Sequence, residues 1–232
     1  MSLLIKKMAL AATLLTLIAI LGSWLVAFVF QVTYQQIKAN ERAALLSTLN
    51  VIISPDQYDN DLFTDIREIQ NEAWFGTNKP VIIYRARKHK QPIAAILTPT
   101  APDGYNGHIH LLVGINYEGV LIGVRVESHQ ETPGLGAQIE RHRSNWILNF
   151  EGRSLTNTLE SEWKIKLDGG VFDQFTGATI TPRAVVKAVH KTLLFYQQHR
   201  DEVYVKSISS SNMRQILIGK MVSHSKSFSL SV

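Results

Sequence analysis

A chain of 232 residues has room for one ordinary domain plus extras, and 45% hydrophobic against 19% charged residues excludes wholesale disorder. Cysteine is absent, which removes disulfide scaffolds, thiolate metal sites, iron–sulfur ligation by this chain and cysteine nucleophiles. The net charge of +5 is scattered rather than gathered into basic stripes with aromatics, so nucleic acid is not an expected partner.

Residues 8–30 contain no charged side chain, a run long enough to cross the roughly 30 Å hydrocarbon core as a helix. Lys6 and Lys7 stand just before it and Trp24 lies near its far end. By the positive-inside rule the short N-terminus stays in the cytoplasm, and the body lies in the periplasm of a bacterium. Lys38 and Arg42, just past the span, weigh against that orientation. A cleaved signal peptide would want a shorter apolar core and a small-residue cleavage site, which Ala27-Phe28-Val29-Phe30 does not offer. A buried core helix would be amphipathic, and this stretch is apolar all round. The reading is an uncleaved inner-membrane anchor.

Ile37, Leu45, Leu49 and Ile52 continue a helix beyond the span as a stalk, and Ser54-Pro55-Asp56 breaks it. Residues 60–74 are polar and ambiguous. Strand patterns follow at 81–87, 93–98, 108–115 and 120–126. The last two are joined by Asn116-Tyr117-Glu118-Gly119, turn chemistry that predicts an antiparallel hairpin. Residues 141–150 read as a short helix with Trp146, Ile147 and Phe150 inward, and 163–167 as a further strand. The tail opens with a serine-rich run at 207–211 and is expected to be loosely attached or disordered, with a small helical pattern at 213–222. The fold class is α+β: a single N-terminal transmembrane helix followed by one mixed α/β domain. The expected boundaries are 1–30 for the N-terminus and anchor, 31–75 for stalk and linker, 76–206 for the domain, and 207–232 for the tail.

Two motifs carry chemistry. The first is Asp173-Gln174-Phe175-Thr176-Gly177-Ala178-Thr179-Ile180-Thr181-Pro182. Thr181 is a good N-cap and Pro182 suits a first helical position. Val185, Val186, Val189, Leu193 and Tyr196 then recur at helical spacing, predicting a helix from about 182 to 198. Gly177 and Ala178 let a ligand approach the backbone, and free N–H groups at a helix start favour a phosphate. A tight turn with ordinary capping threonines fits the same residues, since the glycine spacing of a P-loop or dinucleotide fingerprint is missing. The second motif is His129-Gln130-Glu131-Thr132-Pro133-Gly134-Leu135-Gly136, a loop that could lay backbone beside a flat ring or form a plain surface turn.

The first motif resembles the flavinylation motif of the FMN-binding domain found in the G subunit of the Rnf ion-translocating electron-transport complex (in some bacteria the SoxR-reducing system) and in the C subunit of the sodium-pumping NADH:quinone reductase. That pattern is Asp, two variable residues, Ser or Thr, Gly, Ala, Thr, and it is matched at Asp173, Thr176, Gly177, Ala178 and Thr179. The longer string from Asp168, the run from Glu131 to Gly136, and Ala101-Pro102-Asp103-Gly104-Tyr105 are also similar, so the resemblance covers about 98–196. It implies that Thr179 carries FMN through a phosphoester made by a separate flavin transferase using FAD. It implies that Asp173 is read during modification. The hydroxyls of Thr176 and Thr181 are expected as hydrogen-bond neighbours of the attached group, and Glu131 and Thr132, on a loop that leaves a strand and is rich in close-approach residues, are expected near the flavin ring. The implied function is electron carriage within an Rnf-type oxidoreductase complex, with its other membrane subunits as partners, rather than catalysis by a stand-alone enzyme. A cofactor-free, membrane-anchored binding or scaffold protein is the competing reading, with residues 176–181 serving only as a helix cap. A nucleotide-processing enzyme would need a metal-binding carboxylate cluster, which the sequence does not offer.

Other candidates are weaker. His108 and His110 share a strand face but lack the usual ligand count for a metal. Asp168 and Asp173 flank Gly169-Gly170 and resemble a catalytic carboxylate pair, with turn formation the simpler role.

Overall fold

The computed structural model describes residues 2–205, and the serine run at 207–211 and the helical pattern at 213–222 lie outside the described residues. The chain divides into two units between Leu49 and Asn50. The described part of the first unit is entirely helical, within α1 (Ser2–Ile52). Among the described residues this is the one helix long and apolar enough to cross a membrane. Leu14, Leu15, Leu17, Ile20 and Phe30 point in different directions around it and all are exposed, so the apolar character is spread around the helix rather than confined to one stripe. As expected from Ser54-Pro55-Asp56, α1 stops at Ile52 and a 3-10 turn begins at Pro55 (Pro55–Gln57), where the missing N–H costs nothing.

The second unit is built on a six-stranded antiparallel sheet. The ambiguous segment supplies β1 (Ile66–Ile69) and a one-turn helix, α2 (Glu72–Phe75). The four predicted strands appear as β2 (Val81–Lys88), β3 (Gln91–Leu97), β5 (Gly107–Asn116) and β6 (Leu121–Ser128), with β4 (Thr100–Gly104) between them. The strand order runs β1-β2-β3-β5, and β6 pairs with β5 as the predicted hairpin. β3 and β4 share the other edge of β5: β3 pairs with its C-terminal half and β4 with its N-terminal half.

One face of the sheet carries Val81, Ile83, Ala95, Leu97, Ile109, Leu111, Val113 and Ile115 at alternate positions along the strands, while Tyr84, Ala94, Ile96 and Leu112 on the other face are buried too. The residues of the first face form one core with Val185, Val186, Val189, Leu193 and Tyr196 of α3 (Ile180–Tyr204). Trp146, Ile147 and Phe150 point into the same core, as predicted, but from a 3-10 helix (Trp146–Phe150).

Three expectations are corrected. Residues 163–167 do not form a strand. Trp163 and Ile165 alternate inward as read, yet the segment finds only a single bridge, Ile165 to Phe172, before a 3-10 turn at Lys166–Asp168. The long helix begins at Ile180, with Thr179 rather than Thr181 at its boundary, because the Thr181 side chain is engaged elsewhere. It also runs to Tyr204, with a kink at His199, one residue past the predicted end.

Candidate functional site

The two motif loops use the same local device. β6 ends at Ser128, and the Leu135 N–H then closes a turn by donating to the Thr132 carbonyl (3.1 Å). Pro133 and Gly134 (φ +80°) take the two central positions, the residue pair a type II turn selects. In the other loop the Ala178 N–H donates to the Phe175 carbonyl (3.1 Å), with Gly177 at φ +77° in the corresponding place. The chain then enters α3 through Thr179, whose side chain makes no capping hydrogen bond.

A buried carboxylate joins the loops. Glu131 is 4% exposed, and its Oε1 accepts the Asn106 N–H at 3.0 Å. Its Oε2 accepts the Thr181 hydroxyl, which is why Thr181, fully buried in the first turn of α3, does not cap the helix. Two glycines permit this. A Cβ on Gly136 would lie 2.7 Å from Glu131 Oε2, and one on Gly104 would lie 2.9 Å from Oε1. The Asn106 amide also donates to Thr132 Oγ1 (3.2 Å), fixing the second residue of the pair.

Behind Glu131 stands a second tier. The Glu131 N–H donates to His129 Nδ1 (2.9 Å), which assigns the ring proton to Nε2, 2.6 Å from Glu140 Oε1. Arg143 and His142 reach the other oxygen of Glu140 at 2.5 and 2.9 Å. Burial alone would raise the Glu140 pKa, but the Arg143 and His129 contacts together hold it below the ordinary carboxylate range. A carboxyl that is more acidic folded than unfolded contributes stability above its unfolded pKa and loses it as pH falls through the folded one. Glu140→Gln should therefore flatten the fall in melting temperature between about pH 5 and pH 3 relative to the unaltered chain.

These elements enclose a cleft of about 390 Å³, inside the usual range of small-molecule sites. Of the residues singled out in the sequence, Glu131, Thr132, Gly177, Ala178, Thr179 and Thr181 line it. Asp173 and Thr176 do not. Both are exposed, and Asp173 pairs with Lys166 at 2.6 Å while its carbonyl accepts the Trp146 indole N–H at 2.7 Å. Asp168 does not pair with Asp173 as a carboxylate couple. It takes a two-pronged bond from Arg183 (2.6 and 2.9 Å), which pulls its pKa down. His110 and His108 are exposed, and a ring nitrogen of His110 lies 3.1 Å from the Thr100 hydroxyl.

Sequence reasoning missed part of the lining. Tyr105 (66% exposed), Leu135 and Ile180 give the cleft an apolar lip. Each adjoins a motif glycine or threonine, and an exposed large apolar side chain beside a close-approach residue was the available signal. Asn106 left no such signal, because its bond to Glu131 comes from a backbone N–H and its side-chain bond to Thr132 reaches a residue distant in sequence.

Residues 104–194, which hold the cleft, match the family described as FMN-binding domain, so the body belongs to that class of domain. Residues 1–52 match the family described as RnfG N-terminal region. The chain is 43% identical over 194 residues to the G subunit of the ion-translocating oxidoreductase complex of Pseudoalteromonas atlantica, covering 84% of this chain and 90% of that one. It is 42% identical over 196 residues to the corresponding protein of Shewanella oneidensis (84% and 92% covered) and 44% identical over 191 residues to that of Vibrio cholerae (82% and 91% covered). The chain belongs to the family formed by the G subunits of ion-translocating oxidoreductase complexes.

Proposed function

We propose that this chain is the membrane-anchored electron-carrying subunit of an Rnf-type ion-translocating complex, with FMN bonded to Thr179 through its phosphate. The observation that carries the reading is the meeting of both motif loops around one cleft at the start of α3. The residues fit the group. Thr179 is half-buried, with a hydroxyl free of any capping bond, and Gly177 (φ +77°) keeps the approach to it open. The first turn of α3 directs backbone N–H groups at a phosphate attached there. Tyr105, Leu135 and Ile180 offer apolar surface to a flat ring, with Glu131 and Thr132 as its polar neighbours.

Attachment forms a bond from Thr179 Oγ1 to the flavin-side phosphorus of FAD as the pyrophosphate bond breaks and AMP leaves, the hydroxyl proton passing to the transferase. Asp173 and Thr176, exposed and outside the cleft, are available for that enzyme to read. Bound FMN supplies transfer of one or two electrons, and the chain supplies position and electrostatics. Met8 to Phe30 anchors the carrier in the inner membrane beside the other subunits, with the domain in the periplasm on the evidence of Lys6 and Lys7.

The test is the intact mass of the chain made with and without the flavin transferase. The expected result is a gain of one FMN less one water only with the transferase, together with a flavin absorption band that survives denaturation. An unchanged mass and no visible absorption would favour the cofactor-free scaffold.

A further inference from the structure

The charge of the cleft is unusual for a flavin phosphate site. Among its lining residues Glu131 alone is charged, and it is an anion. Its two hydrogen-bond donors, the Asn106 N–H and the Thr181 hydroxyl, are neutral. The basic residues on neighbouring positions of α3 are committed outward: Arg183 to Asp168 and Lys187 to Asp103 at 2.6 Å. The helix itself offers fewer donors than usual, because Pro182, its third residue, has no N–H. Sites that hold free phosphates normally set an Arg, a Lys or a full helix N-terminus against them.

A free phosphomonoester carries a charge of about −1.5 to −2 at neutral pH. Esterification to a threonine removes one ionisable oxygen. We propose that Glu131 is a selectivity residue: its buried carboxylate turns away free FMN and leaves room for the singly charged phosphodiester of a tethered flavin. This rests on the covalent reading above. The consequence is that the domain acquires its cofactor by attachment, not by equilibrium binding from a pool of free FMN, and that an unattached chain accepts the neutral flavin better than the phosphorylated one. At an effective dielectric of about 20, like charges within about 10 Å weaken binding by about tenfold or more.

The experiment uses the full chain made without the transferase, in detergent micelles, with empty micelles as the reference. Equilibrium dialysis measures riboflavin, the methyl phosphodiester of FMN, and FMN, a series of rising negative charge on one ring. Affinity should fall along that series, with FMN weaker than riboflavin by about tenfold or more. Glu131→Gln should close the gap, since the amide keeps the shape and Thr181 can turn its hydroxyl to accept. FMN binding as well as riboflavin, no riboflavin binding at all, or a gap unchanged in a cooperatively melting Glu131→Gln chain would each overturn the proposal. If that variant does not fold, the charge series on the unaltered chain decides. The mass measurement with the transferase stands apart from this one: a missing adduct sinks the covalent reading, while an adduct without the charge ordering sinks only the role of Glu131.

Discussion

Thr179→Ala should abolish flavin fluorescence in denaturing gels of chain made with an active transferase, while Thr181→Ala should keep it. The two threonines are two residues apart and chemically identical, so the difference is one of access. The Thr179 hydroxyl makes no capping hydrogen bond, and the residue lines the cleft. Thr181 is fully buried, with its hydroxyl donated to Glu131. The two substitutions should also separate in stability. Losing the Thr179 side chain breaks no cap, so the melting temperature should hardly move. Losing the Thr181 hydroxyl strips a buried carboxylate oxygen of its donor, a cost of about 1–3 kcal/mol. A fluorescent Thr179→Ala chain would refute the assignment. A fluorescent Thr179→Ala with a dark Thr181→Ala would move the site two residues along and require the first turn of α3 to open.

The parts of the domain that were legible in the sequence are those where burial repeats with a period. The alternation through Val81–Lys88 and Gly107–Asn116 and the spacing of Val185, Val189, Leu193 and Tyr196 each report a side of the core between sheet and α3, while the run from Met8 to Phe30 was legible from its length and lack of charge. β4 (Thr100–Gly104) was invisible because its sequence, Thr-Ala-Pro-Asp-Gly, carries Pro102 and is depleted of strand formers. It is a strand only because β5 outreaches β3 and has an edge to fill. The error at Trp163 has the opposite cause. The alternation was real, with Trp163 and Ile165 buried, but no strand lies alongside to continue the ladder beyond the bridge to Phe172. At the cleft, residue types marked the right loops, while the misplaced cap at Thr181 followed from a long-range partner. Glu131 lies fifty residues away along the chain, and no local pattern announces that it will take the hydroxyl.

Arg85→Ala should cost about 3–5 kcal/mol of stability, read as a lower urea midpoint at unchanged slope, the penalty of breaking a buried ion pair. Arg85 lies on β2 and is 3% exposed, yet it carries a guanidinium. Burial lowers its pKa, against an opposing pull from Asp65, with which it forms an ion pair. It also donates to the Val205 carbonyl at 2.7 Å. Arg87 bridges the same Asp65 (2.7 Å) to the Tyr204 carbonyl (2.9 Å). With Arg67, which donates to the Val205 carbonyl at 3.4 Å, three cations thus sit at the end of α3, where the helix dipole favours positive charge, beside the core packing of Val203 and Tyr204. Arg67, whose ion-pair partner Glu202 is about half exposed and whose bond to the Val205 carbonyl is the longer at 3.4 Å, provides the comparison: Arg67→Ala should cost less than Arg85→Ala, about 1 kcal/mol. The clamp grips the end of α3 opposite Thr179. The Arg85→Ala chain, kept below its melting temperature, should therefore still accept flavin in the gel assay. A loss under about 1 kcal/mol would mean that Arg87, Arg67 and the packing of Val203 and Tyr204 secure the helix end without Arg85, since both Arg85 and Arg87 share Asp65 and their contributions need not add.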